Sequence, residues 1–158
     1  MASAVRPADV GAARRAVRTL HLPGQTRLHM ATESGSRRRA ILSGLGRAGL
    51  RATIFRASRS ARDIDAREAC IEQLVASLAD EPTVRVTFEC DQSQDERDRK
   101  QLYRLVRALG CSERVQYEHR LASAEPLLAV PDAIGWAYAR GGDFRRWAVP
   151  LVVEVVDV

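Results

Sequence analysis

Apolar residues recur along this chain with two periods that alternate. Val10, Ala13, Val17 and Leu20 are three or four apart and predict a helix over 7–20, with Pro7 in its first turn. Residues 22–25 (LPGQ) then form a turn, and 27–32 is a short segment open to an extended conformation. Ser34 or Ser36 caps a second helix running to Ala48, with Ile41, Leu42 and Leu45 on one face and Gly49 closing it. The period then shortens. Residues 50–57 (LRATIFRA) and 84–89 (VRVTFE) predict strands, and between them a helix opens at Asp63 or Asp65 and ends near Ala79. A helix over 95–109, a strand over 115–119 and a helix over 130–140 follow. Gly141-Gly142 breaks the last of these, 143–147 adds a turn or short helix, and 151–158 (LVVEVVDV) is a final strand. Residues 1–5 are an apolar start that reads as the tail of a strand.

Strands alternating with helices predict an α/β fold built from parallel βαβ units, in which ligands gather at the carboxyl ends of strands. That directs attention to the residues just after Phe88 and to the helix near Asp132. A length of 158 residues suits one domain over 1–158 with a core of its own. Aromatic residues are 5% of the chain, so aliphatic side chains must fill most of that core.

Charge adds a second constraint. The net charge is +5 and Lys100 is the only lysine, so the positive charge is almost entirely arginine. Arginine donates bidentate hydrogen bonds that suit phosphates. Together with abundant alanine, the same usage also fits the codon bias of a GC-rich genome. Cys70, Cys90 and Cys111 are odd in number, widely spaced and form no CxxC pair, which argues against a disulfide framework or a zinc site and fits a reducing, cytoplasmic setting. Arg6 and Asp9 interrupt any apolar leader, and no apolar run is long enough for a membrane span.

Three acidic positions stand out. Glu89 ends an apolar strand and Asp91 follows it; together they could ligate Mg²⁺ or Mn²⁺ through oxygen, or be an exposed strand terminus and a turn or cap residue. Asp132 follows Pro131 at the start of an otherwise apolar helix, where it either complements the helix dipole or lies near the sheet as a functional acid. Glu33 stands four residues after His29 in RLHMATES, as a possible acid–histidine pair or as part of a hydrogen-bonded loop. Arg37, Arg38 and Arg39 at a helix start suit phosphate or form a solvated face. His21 and His119 have no evident partner. The GxSxG and HExxH motifs are absent.

The segments LPGQTRLHMATESGSRRRAIL, VTFECDQSQDERDR and AEPLLAVPDAIGWAYARGGD resemble a bacterial family of unknown function with a ribonuclease-H-like fold. The resemblance covers most of the chain from about Ala2. It implies a mixed sheet flanked by helices and carboxylates that bind divalent ions, a role it carries to Glu89 and Asp132, with Asp91 or Glu33 as weaker candidates. That family usually opens on a strand bearing Asp-Glu-Ser-Gly. Here Glu33-Ser34-Gly35 follows the first helix and has no apolar run before it, so the opening strand has no counterpart within residues 1–158: either the start is truncated or this member has lost its central metal ligand. Without its central carboxylate, two-metal hydrolysis should be crippled, and the sheet edge left open invites a second copy of the chain. The expectation is therefore a divalent-metal-dependent, nuclease-like protein acting on nucleic acid, inactive in this form and homo-oligomeric. The alternative is a non-catalytic binding or assembly protein that retains the scaffold.

Overall fold

The computed structural model describes residues 1–58 and 61–158, which form a mixed α/β structure in two compact units. Unit 1 comprises Met1–Ile54 and Ala122–Val155, and unit 2 comprises Phe55–Leu121 and Val156–Val158. In chain order the helices are α1 (Val10–Arg18), α2 (Gly35–Arg47), α3 (Asp63–Leu78), α4 (Asp95–Ala108), α5 (Ala129–Arg140) and α6 (Gly142–Ala148). The strands are β1 (Ala52–Arg56), β2 (Val84–Glu89), β3 (Val115–Arg120) and β4 (Val152–Asp157). Short 3-10 turns occupy Pro7–Asp9, Pro126–Leu128 and Val149–Leu151.

Unit 1 is built on helices. Ala13 and Val17 form the buried face of α1, Ile41, Leu42 and Leu45 that of α2, and Val130, Ala133, Ile134 and Ala137 that of α5. The helical spacing of these residues places them on single stripes, and they pack into one core with Met30, Leu50 and Leu151. Ser34 caps α2, its hydroxyl accepting from the Arg37 N–H. Gly49, at φ 68°, adopts the left-handed turn that ends α2 and sends the chain into β1. Gly44 permits a close approach: a Cβ there would sit 2.4 Å from Leu20 Cδ2.

Two features of unit 1 depart from the sequence pattern. Residues 27–32 form bends and turns rather than a strand. Leu28 and Met30 are buried and alternate as strand residues would, but they insert into the helical core, and Thr32 N–H turns back to the His29 carbonyl. Residues 1–5 contribute a single antiparallel bridge, Ala2 to Thr53, and no strand.

In unit 2, β2 and β3 run parallel with Val84 opposite Val115 and Glu89 opposite Arg120. Helix α4 joins them, forming the βαβ unit that the alternation of periods predicts. Ile71 and Val75 of α3 pack with Leu102 and Val106 of α4 and with Val115 and Cys111. The acids Asp95, Glu96 and Asp98 fill the first turn of α4, where they complement its dipole. Strand β1 pairs with β4. The strands are thus distributed over two two-stranded sheets, β1–β4 and β2–β3.

Candidate functional site

The carboxyl ends of β2 and β3 lie beside a set of interacting ionisable groups in unit 2. Asp98 is buried on α4, and Arg67 of α3 reaches it with both arms of its fork, Nε to Oδ1 at 3.0 Å and Nη2 to Oδ2 at 2.6 Å. His119, opposite Phe88 in the parallel register, stacks on that ring at 5.4 Å. Its Nε2 lies 3.5 Å from Asp98 Oδ2 and 3.9 Å from Asp95 Oδ1. Asp95 and Asp98 are three apart on one helix, so both face the same way. The side chains of His119 and Asp98 are 1% and 2% exposed. At that burial no substrate reaches them, and the cluster ties α3, α4 and β3 together. The hydrogen bond to Asp98, and then its charge, raises the Arg67 guanidinium pKa.

Asp91 and Glu89 flank this cluster. Asp91 Oδ1 accepts from the Ser93 N–H at 3.0 Å and from its hydroxyl at 2.7 Å, and the Asp91 N–H donates to Asp95 Oδ1 at 2.8 Å. The Ser93 hydroxyl holds the Asp91 carboxyl below the usual carboxylate range. This is a turn role, in the segment that leads into α4. Glu89 is exposed at the last position of β2, opposite Arg120. Cys90 is half-buried, and burial followed by the Asp95 carboxylate pushes its thiol pKa up, the reverse of what a nucleophilic cysteine needs.

The remaining candidates lie in unit 1. Glu33 is buried and accepts from Gln25 Nε2 at 2.6 Å, with Arg37 Nε 3.5 Å away. It therefore faces Gln25 and Arg37, while His29 Nδ1 accepts from Arg27 Nη2 at 3.2 Å. Asp132, in the first turn of α5, is exposed by surface area, yet the protein packed around its carboxyl group raises its pKa above 3.8, opposed by His29 and then Arg27. Its remaining solvent contact keeps that effect below what a fully enclosed carboxyl would show. Comparison with protein-family models, curated proteins and solved structures finds no match for this chain.

Arg37, Arg38 and Arg39 are occupied at home. Arg37 Nη2 donates to the Leu20 carbonyl. Arg38 donates to the carbonyls of Met30 at 2.7 Å and Ala31 at 2.9 Å, and its guanidinium lies 4.5 Å from the centre of the Trp136 ring. Arg39 sits 5.2 Å over Trp147. These contacts dock α2 on the 27–32 loop and on α5 and α6.

The fit to Mg²⁺ or Mn²⁺ is poor. Among the described residues, no group of three or more His, Cys, Asp or Glu side chains gathers in a way that could hold a metal ion. Glu33 and Asp91 already have donors on their oxygens. The groups that sequence reasoning passed over are His119, Asp98 and Arg67. Their signal was present as two acids three apart on α4 and a histidine in register with Phe88, but neither means much until β2 and β3 are known to pair.

Proposed function

We propose that the chain is a non-catalytic nucleic-acid-binding protein on a ribonuclease-H-like scaffold, and that unit 1 makes the contact. The observation that carries this is the partition of charge. Unit 1 has thirteen arginines against six carboxylates, and unit 2 has twelve basic against fourteen acidic residues, so the net +5 divides into +7 and −2. Codon bias explains a choice of arginine over lysine, but it does not segregate net charge along a fold. The arginines of the 37–39 run are engaged internally, so phosphate contact falls to others. Arg15, Arg18, Arg51 and Arg140 of unit 1 are exposed and make no side-chain hydrogen bond or ion pair among the described residues. The three cysteines are free thiols, which fits a reducing, cytoplasmic setting.

Fluorescence anisotropy of a labelled DNA duplex, titrated with the protein at several salt concentrations, tests this reading. Each phosphate neutralised contributes about −0.9 to the slope of log affinity against log salt, so three contacts give a slope of roughly −3. The expected result is such a slope, with no Mg²⁺- or Mn²⁺-dependent cleavage above background. Absence of binding at low salt, or binding indifferent to salt, overturns the proposal. Metal-dependent cleavage that disappears in Asp132→Ala would restore the nuclease reading.

A further inference from the structure

Unit 1 contains a cleft of about 290 Å³ lined by Arg18, His21, Gln25, Thr26, Ser123 and Pro126. Its walls come from the last turn of α1, the turn after it, and the segment leading to the 3-10 turn at Pro126–Leu128. None of these residues belongs to the clusters described above except Gln25, whose amide is fully used: its Oε1 accepts from the Leu22 N–H at 3.0 Å and its Nε2 donates to Glu33. The Arg18 guanidinium and the Thr26 and Ser123 hydroxyls make no hydrogen bond among the described residues. His21 Nδ1 lies 3.3 Å from the Arg18 carbonyl. A carbonyl only accepts, so that nitrogen carries a proton, and Nε2 is left as the ring's second polar group. One cleft thus offers a fork of N–H donors and two hydroxyls without partners of their own, beside an imidazole whose Nδ1 faces the Arg18 carbonyl. That is the donor set of an oxyanion site.

The surrounding charges agree. A helix C-terminus ordinarily repels anions, because its last carbonyls point outward unpaired. Here the Arg15, Ala16, Val17 and Arg18 carbonyls accept from Thr19 N–H, Thr19 Oγ1, Leu20 N–H and His21 N–H, and Leu20 O accepts from Arg37. The two nearest buried carboxylates are also neutralised. Glu125 accepts from Arg14 Nε at 3.1 Å on both of its oxygens, and Glu33 pairs with Arg37. The cavity lies at the lower end of the range of about 300–1,000 Å³ typical of small-molecule sites, enough for one phosphate and little more than a sugar.

We propose that this cleft binds a single phosphate group, with Arg18 as its main charged contact, the Thr26 and Ser123 hydroxyls donating to its oxygens, and His21 lining the cleft beside it. The phosphate is either that of a free phosphomonoester or one on a nucleic-acid strand. Only the second source rests on the nucleic-acid reading above. The test is a titration with inorganic phosphate followed by ¹H–¹⁵N resonances of the full chain. Arg18→Ala is the variant, and Arg47→Ala, an exposed arginine of unit 1 outside the cleft whose guanidinium donates to the Ser43 hydroxyl, is the control. Saturable shifts centred on His21, Thr26 and Ser123 are expected. Arg18→Ala should weaken them about tenfold or more, as loss of a charged hydrogen-bonding partner does, and Arg47→Ala should leave them unchanged. Shifts scattered over the surface, or equal affinity in wild type and Arg18→Ala, overturn the site. A second arm repeats the variants with a nucleoside 5′-monophosphate and with a single-stranded oligonucleotide. A matching loss for the oligonucleotide assigns the site to the strand, and a loss confined to the monophosphate assigns it to a free phosphomonoester. Salt-dependent oligonucleotide binding without any phosphate in the cleft removes this site while leaving the charge-based reading of unit 1 intact.

Discussion

Replacing Asp98 by Asn is expected to be among the most damaging conservative changes in unit 2. The substitution keeps the size of the side chain and removes its charge. Arg67 then loses a bidentate partner held at 3.0 and 2.6 Å, and His119 loses the nearer of its two carboxylates, at 3.5 Å. Breaking a fully buried pair costs about 3–5 kcal/mol because a charge is stranded without compensation. The Arg67 side chain is 38% exposed, however, so water can partly solvate its guanidinium once Asp98 is neutral. That discount brings the expected loss to about 2–3 kcal/mol. For a chain of this size the corresponding drop in Tm is about 4–12 °C. Urea unfolding followed by far-UV circular dichroism measures the loss, and native-state hydrogen exchange locates it, with protection falling first in α3 and α4. The double variant Arg67→Met, Asp98→Leu should recover much of the stability, since it removes both charges from the interior together. A loss below about 1 kcal/mol in Asp98→Asn, or a double variant worse than the single, would refute the view that this pair holds α3 to α4.

Three further outcomes follow from the same structure. Burial raises the Asp132 pKa, so folding favours its protonated form: that contribution is fully present below the unfolded value of 3.8 and is lost as pH rises through the folded value. Asp132→Asn should therefore raise Tm at neutral pH, with the gain shrinking as pH falls toward 3.8; an equal gain at all pH values would exclude the ionisation as its cause. Gly49→Ala places a Cβ on a residue at φ 68° and should cost about 1–2 kcal/mol by chemical denaturation, even though no atom lies near enough to clash; a neutral effect would mean that the turn has relaxed. Sedimentation at micromolar concentration is expected to show a species heavier than 17.5 kDa, because Val153 and Val149 of unit 1 are 64% and 52% exposed, and a single 17.5 kDa boundary would remove the oligomer from consideration.

Most of the elements were legible in the chain itself. The strand Val84–Glu89 is bounded as its run of β-branched residues requires, and α2, α3, α4 and α5 fall within a residue or two of their apolar stripes and caps. Local physics decides these features: the helical period, a serine that caps, a glycine that can turn left-handed and acids at a helix start all act over a few residues. Only the tertiary structure decided what each charged group does. Arg37, Arg38 and Arg39 look like a phosphate-binding run, but their partners are Leu20, Met30, Ala31, Trp136 and Trp147, some of them about a hundred residues away. Leu28 and Met30 alternate like strand residues, and a helical core claimed them. His119 acquired its partners because β2 and β3 pair in parallel and bring the end of β3 beside the first turn of α4. Hydrophobic periodicity is a property of neighbouring residues, whereas the role of an arginine or a carboxylate depends on which opposite charge, ring or carbonyl the fold carries to within about 4 Å of it.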